Sequence, residues 1–227
     1  MNNVMNLCFD FDGPIIDITD RYYQGYLESL KGTDHKKLQI LNKEHFWELK
    51  QNRISDLEIG LMSGLNISEA KDSAEIRRDL YFKSEYFALD KLFDDVFKTF
   101  DHLKANGIFF YIVTLRRKKQ LYYAMNQFKI NKYLSNEYLF PIPDDKKISF
   151  DIQEKYLLFV EAINRATIDP KDTWLITDSE TDIHAGRLAK YGKIIAIARG
   201  IRSKKQLEIL NPDLVISSLT ELIPDIK

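Results

Sequence analysis

The sequence lacks most of what would tie it to a special environment. It has one cysteine, Cys8, so no internal disulfide can form. It has no excess of either charge: Lys plus Arg number 33 against 34 Asp plus Glu, for a formal net charge of -1. That balance leaves no global electrostatic footprint for nucleic acid or an anionic membrane surface. It has no long hydrophobic run, since "IFFYIVTL" is far too short to cross a bilayer. The first residues, "MNNVMN", lack the basic segment and long apolar stretch of a secretory signal. No internal repeat or low-complexity tract is visible. These absences point to a soluble, cytoplasmic protein without nucleic-acid or membrane partners; they leave the oligomeric state unknown. The 227 residues suffice for one generous domain, or for a core domain carrying a smaller insert.

Short apolar runs suit fully buried parallel strands: "NLCFDF", "IFFYIVT" (108–114), "TWLIT" (173–177), "IIAIA" (194–198) and "LVIS" (214–217), with "EYLF" (137–140) a weaker sixth. Helical patterns at 93–105, 117–129, 155–166, 180–190 and 203–210 lie between them, each long enough for a crossover. The alternation predicts an α/β fold, a doubly wound, mostly parallel sheet. One interval breaks the rhythm. From about residue 18 to 90 there are only helical stretches, more than one crossover requires, and this interval reads as a helical insert after the first strand. The expected division is residues 1–17 and 91–227 as core and 18–90 as the inserted domain. Tyr22, Tyr26, Phe46, Trp47, Tyr81 and Phe82 are expected to form the insert's own core.

The stretch "FDFDGPII" admits three readings. Asp-Gly between alternating hydrophobics signals a hairpin, but Pro14 removes a donor that a returning strand would need. A calcium loop would need glycine three residues after its second acid position, whereas here glycine follows the second acid at once. The third reading is catalytic, because acids at the carboxyl end of a parallel strand lie where open α/β sheets bind ligands. Two further strands end suggestively, on Thr114 and at Asp178, with Asp182 one helical turn later. Each has a plain explanation: threonine favours strands, Asp178 or Ser179 can cap a helix, and Lys155 can be a solvated lysine. Together they make the inventory of a phosphate-transfer site.

In order along the chain, "DFDGP", Thr114, Lys155 and "TDSETD" resemble the four motifs of the haloacid dehalogenase-like hydrolases, and the segment from "GKIIAIARG" to "SSLTEL" resembles phosphoglycolate phosphatase-like members. The resemblance implies a Rossmann-like core with a helical cap of the C1 type, and a Mg²⁺-dependent phosphatase acting on a small phosphorylated metabolite. It implies Asp10 as nucleophile forming an aspartyl-phosphate, Asp12 as general acid and base, and Thr114 and Lys155 as charge-stabilising partners. The metal set it implies is the carboxylates of Asp10 and Asp178 and the main-chain carbonyl of Asp12, with Asp182 acting through water or orienting the shell. Proline at position 14 and Thr177, where glycine usually precedes the metal-binding aspartate, depart from the pattern. Lys146 and Lys147 are alternatives to Lys155.

As an acid at neutral pH, Asp12 is expected to have a raised pKa. Gly13, Leu115 and Arg116 are the expected substrate-binding positions, Gly13 because it lets main-chain amides approach a phosphate. "RRKK" (116–119) places cations at a helix start, against the helix dipole, which suggests an anion near Arg116 or Arg117. Lys50 and Arg53 are weaker candidates for an acidic substrate tail. A sugar-phosphate mutase, or a binding protein that kept the fold and lost turnover, are the alternatives to a phosphatase.

Overall fold

The computed structural model describes residues 6–31, 38–81, 83–146 and 151–226. The apolar runs become six parallel strands: β1 (Asn6–Phe9), β4 (Phe109–Arg117), β5 (Leu139–Ile142), β6 (Thr173–Thr177), β7 (Lys193–Ile197) and β8 (Leu214–Ile216). Two short strands fall between the first two of these, β2 (Ile16–Asp17) and β3 (Lys91–Leu92). The large sheet has the order β5-β4-β1-β6-β7-β8. β1 is therefore central, and the winding reverses beside it, between β4 and β6. In open α/β sheets the ligand crevice lies at that point, outside the carboxyl ends of the strands.

Side-chain alternation divides the sheet between two apolar layers. Leu7, Phe9, Ile112 and Ile176 face one side, against α5 (Asp95–Ala105) and α6 (Lys118–Gln127). Cys8, Tyr111, Val113 and Leu175 face the other, against α7 (Asp151–Ala166) and α8 (Glu180–Leu188). The last helix, α9 (Lys204–Glu208), precedes β8. In α7 the buried residues are Lys155, Leu158, Phe159 and Ala162, a helical stripe with a lysine at its N-terminal end. That spacing turns Lys155 toward the sheet.

The interval between β2 and β3 holds α1 (Thr19–Ser29), α2 (Lys43–Gln51), α3 (Asp56–Met62) and α4 (Ile67–Leu80). The side chains of Asn42, Ser55 and Asn66 cap the last three, the latter two in complete capping boxes. Tyr26, Leu30, Phe46, Ile59, Leu65 and Ala70 form a separate buried cluster here, with Tyr22 and Trp47 packed on it; Phe82 lies outside the described residues. β2 and β3 pair antiparallel, Ile16 with Leu92 and Asp17 with Lys91, where the chain leaves and rejoins the sheet. Two-residue strands carry no periodicity, so the sequence could not announce them.

Other boundaries moved for identifiable reasons. β4 continues through Arg117, so only Lys118 and Lys119 of the basic run occupy the first turn of α6. β5 lies two residues later than "EYLF" and includes Pro141, which is tolerated because β5 is an edge strand. α7 begins by Asp151, which puts Lys155 on its second turn rather than at its start. Among the described residues no helix is long and apolar enough to cross a membrane.

Candidate active site

The carboxyl ends of β1, β4 and β6 converge on a cavity of about 320 Å³ lined by Asp10, Asp12, Thr114, Leu115, Arg116, Lys155, Asp178 and Asp182. Every one of these was a candidate from the sequence. Between Phe11 and Ile16 the chain does turn tightly, with Ile16 N–H donating to Phe11 O at 3.0 Å and Gly13 N–H to Ile16 O at 2.9 Å. The turn forms, but not as a hairpin between its flanking strands, since β1 pairs with β4 and β6 and β2 with β3.

Gly13 has φ of +95°, and a Cβ there would stand 2.1 Å from Asp178 Oδ2. It does not line the cavity. Its small size makes room for the Asp178 carboxylate. Gly200 flanks the same carboxylate, where a Cβ would lie 1.9 Å from Oδ2. The Ile201 amide donates to that oxygen at 2.5 Å. The Thr177 side chain is fully buried, and its hydroxyl accepts weakly from Ser179 N–H at 3.3 Å, bracing the turn that carries Asp178.

Lys155 is 1% exposed, and its ammonium donates to Asp10 Oδ1 at 2.8 Å and to Val113 O at 2.9 Å. It also lies 2.8 Å from Asp182 Oδ2, an ion pair without hydrogen-bond alignment. Burial would lower the Lys155 pKa, but Asp10 and Asp182 outweigh it and keep the lysine charged. Asp182, expected near the metal, is thus engaged by Lys155. Lys146 pairs with Glu154 away from the cavity; Lys147 lies outside the described residues.

Burial and the neighbouring Asp182 push the Asp10 carboxyl up to about 7, against the pull of Lys155. Burial and the charge of Asp10 push Asp178 well above the carboxylate range. Two buried carboxylates that oppose each other's ionisation suit a cation, and an all-oxygen donor set suits Mg²⁺. Among the described residues no three His, Cys, Asp or Glu side chains gather into a metal-holding group. A cation here would rest on two carboxylates, main-chain oxygen and water, which fits Asp10, Asp178 and the Asp12 carbonyl.

Asp12 corrects an expectation. Burial would raise its pKa, but Arg116 and Arg21 outweigh burial and hold the carboxyl below its ordinary range. Arg116 Nη2 donates to Asp12 Oδ1 at 2.5 Å and Arg21 Nη2 to Asp12 Oδ2 at 2.9 Å. Both guanidiniums also bind Asp90, Arg21 Nε to Oδ1 at 2.8 Å and Arg116 Nη2 to Oδ2 at 2.6 Å. Sequence reasoning found neither Arg21 nor Asp90, because nothing but folding brings them to Asp12. Of the two arginines in the basic run, Arg116 faces the cavity. Arg117 turns away, Nη1 donating to Asp144 O at 2.5 Å. Lys50 binds Asp56 at 3.0 Å, Arg53 lies 3.4 Å from Glu180, and neither lines the cavity. Tyr22, assigned to the insert's core, lines the cavity as well, together with Phe87.

The description "Haloacid dehalogenase-like hydrolase" matches residues 7–196 of the chain. No curated protein was found to match it. Among solved structures, a haloacid dehalogenase-like hydrolase from Streptococcus pneumoniae superposes with a TM-score of 0.70 at 15% identity, covering 100% of both chains. A protein from Clostridium acetobutylicum described as a predicted phosphatase gives 0.67 at 21% identity, covering 98% of each. One from Haemophilus somnus described as a predicted phosphoglycolate phosphatase gives 0.70 at 18% identity, covering 100% of each. At these identities the structures share the fold, and the family match, which spans most of the chain, carries the assignment: the chain belongs to the haloacid dehalogenase-like hydrolase family.

Proposed function

We propose that the chain is a Mg²⁺-dependent phosphatase that hydrolyses a small phosphorylated metabolite in the cytoplasm, through a phosphoryl group carried on Asp10. The observation that carries this reading is the convergence of Asp10, Asp12, Thr114, Lys155 and Asp178 on one cavity. Phosphoryl transfer needs little covalent chemistry from a protein beyond a nucleophile; the rest is positioning and neutralisation of charge. Bound Mg²⁺ would supply charge neutralisation between the carboxylates and the substrate phosphate.

The chain's own groups divide the remaining work. A carboxylate oxygen of Asp10 attacks phosphorus, the bond to the leaving-group oxygen breaks, and Asp12 delivers a proton to that oxygen. Lys155 holds Asp10 in place and offsets charge on the phosphoryl oxygens. In the second half a water oxygen attacks phosphorus, the phosphorus bond to the Asp10 oxygen breaks to free the carboxylate and release inorganic phosphate, and Asp12 takes the water's proton. The arginine-held, ionised Asp12 suits that base role directly, whereas its acid role requires a proton to displace part of the arginine grip. Residues 18–90 form a helical cap in this reading, since Arg21, Tyr22 and Phe87 wall the cavity from the inserted side of the chain. Such a wall favours small esters, phosphoglycolate-like acids and sugar phosphates among them.

A screen of common phosphorylated metabolites with Mg²⁺ tests the reading. Phosphate release that disappears with a chelator and with Asp10→Asn is the expected result. Release that survives Asp10→Asn, or none from folded protein across the panel, would overturn it.

A further inference from the structure

Asp178 is held by a peptide unit that is itself held from far along the chain. The Gly200 carbonyl and the Ile201 N–H belong to that one unit, and the N–H donates to Asp178 Oδ2 at 2.5 Å. On its opposite side the Gly200 carbonyl accepts from the Gln51 side-chain amide, Nε2 to O at 3.0 Å. A peptide is planar and stiff, so its carbonyl and its N–H cannot turn independently. Gln51 and the Asp178 carboxylate therefore grip the two ends of one rigid plate.

Gln51 is the last residue of α2 and stands 149 positions before Gly200. It meets the segment after β7 twice, because its own carbonyl also accepts from Ser203 N–H at 3.1 Å. Neighbouring contacts hold the same junction. Arg202 Nη1 reaches Lys50 O at 3.3 Å, while its Nε and Nη2 grip Glu180, both at 2.7 Å. Ser203 Oγ donates to Asn52 Oδ1 at 3.2 Å. Of all these bonds, only the one from the Gln51 amide falls on the peptide that meets Asp178.

The carboxylate depends on that peptide for its direction. Gly13 and Gly200 leave Asp178 the space it occupies, but a glycine gives room without aim. Among the described residues the Ile201 N–H is the one hydrogen-bond donor that Asp178 meets. A carbonyl that accepts a hydrogen bond polarises its peptide and strengthens the N–H at the other end as a donor. Without the Gln51 amide the plate is free to tilt and its N–H donates more weakly, and both changes loosen Asp178.

We propose that Gln51 is a positioning residue of the metal site, acting through the Gly200–Ile201 peptide to aim the Asp178 carboxylate. The proposal rests on the reading above in taking Asp178 as a ligand to the divalent cation. It makes the seating of α2 on residues 200–203 a condition of full metal affinity, although no residue of α2 lines the cavity.

Metal binding to the substrate-free protein tests it. Mn²⁺ suits the same oxygen ligands as Mg²⁺, and its free form is counted by electron paramagnetic resonance, which gives a dissociation constant without turnover. Removing a hydrogen-bond partner of a metal ligand costs about 10–100-fold in affinity, and Gln51 stands one peptide further out, so Gln51→Met should weaken Mn²⁺ binding about fivefold. Gln51→Glu, which turns an acceptor toward the carbonyl, should weaken it at least as much, and it decides the matter should Gln51→Met not fold. Asn52→Ala breaks the bond to Ser203 at the same junction but leaves the Gly200–Ile201 peptide untouched, and should stay within about twofold of the native protein. Asp178→Asn should lose more than about tenfold. Native affinity in folded Gln51→Met overturns the proposal, as does an equal loss in Asn52→Ala, which would make the effect one of α2 docking in general. Either result with Asp178→Asn still impaired leaves the metal assignment standing; native affinity in Asp178→Asn would sink that assignment and the proposal with it.

Discussion

The Lys155 ammonium sits 2.8 Å from the Asp10 carboxylate, joining the second turn of α7 to the end of β1 through the buried middle of the protein. Both side chains are nearly inaccessible, at 1% and 12% exposure. Removing one partner of a buried pair leaves an uncompensated charge, which costs about 3–5 kcal/mol. Lys155→Met keeps the stem and should lose that much in denaturant unfolding of metal-free protein. Mg²⁺ should restore more stability to the variant than it adds to the native protein, because in the variant it would neutralise carboxylates that have no lysine beside them. Equal Mg²⁺ effects on both would contradict this account of the pair.

Asp178 is packed between two glycines, and a methyl group on either would collide with it. A Cβ on Gly200 would lie 1.9 Å from Asp178 Oδ2 and 2.7 Å from the Gly13 Cα, and of these two neighbours only the carboxylate can move aside. Gly200→Ala should therefore displace the carboxylate. The expected result is a folded protein, destabilised by about 1–3 kcal/mol as in other overpacked interiors, whose half-saturating Mg²⁺ concentration for phosphatase activity rises by an order of magnitude or more. An unaltered Mg²⁺ dependence would show that Asp178 has room to spare.

The site was more legible in the sequence than its surroundings, for a physical reason. Asp10, Thr114 and Asp178 follow apolar runs long enough to identify strands, and parallel strands deliver their carboxyl ends to one edge. Lys155 was legible as a residue though not in its setting, since the helix begins by Asp151 and the lysine's burial comes from the stripe it shares with Leu158, Phe159 and Ala162. Arg21 and Asp90 left no mark. An arginine in a polar helix and an acid near a chain reversal read as solvated groups, and they meet only across 69 residues of chain. The raised pKa expected of Asp12 failed for the same cause: its neighbouring carboxylates were visible, its arginines were not.

Arg77 offers a test of whether the helices between β2 and β3 behave as a separate cooperative unit. Its side chain has 0% exposure; it meets Asp56 at 3.2 Å, Ser29 at 3.3 Å and Ser73 at 3.2 Å, and lies 5.1 Å from the Tyr26 ring centroid. Arg77→Met retains much of the volume but removes these bonds. Asp56 keeps Lys50 and Tyr81 as partners, so a loss of about 1–3 kcal/mol is expected rather than the full penalty of an isolated charge. Hydrogen exchange should accelerate in α1 to α4 while amides of the six-stranded sheet keep their protection. Acceleration spread evenly over both would mean that the helices and the sheet open together.

Asp95 links the start of α5 to the segment after β7 and to the C-terminal turn, accepting from Arg199 Nη1 at 2.7 Å, Ser218 Oγ at 2.6 Å and Leu219 N–H at 2.7 Å. Burial pulls its carboxyl upward, but the hydrogen bonds from Arg199 and Ser218 outweigh burial and leave its pKa lowered. A carboxylate whose folded pKa lies below its unfolded one adds stability that is complete above the unfolded value and vanishes as pH falls through the folded value. The unfolded value is the ordinary one for aspartate, about 3.9. Asp95→Asn should therefore cost most at neutral pH, about 1–2 kcal/mol, a figure discounted because solvent screens a partly exposed group. The gap between native protein and variant should narrow below about pH 4 in urea titrations across the acid range. A gap that stays constant with pH would mean that Asp95 contributes through shape alone, and that its charge does not hold Arg199 and the C-terminal turn together.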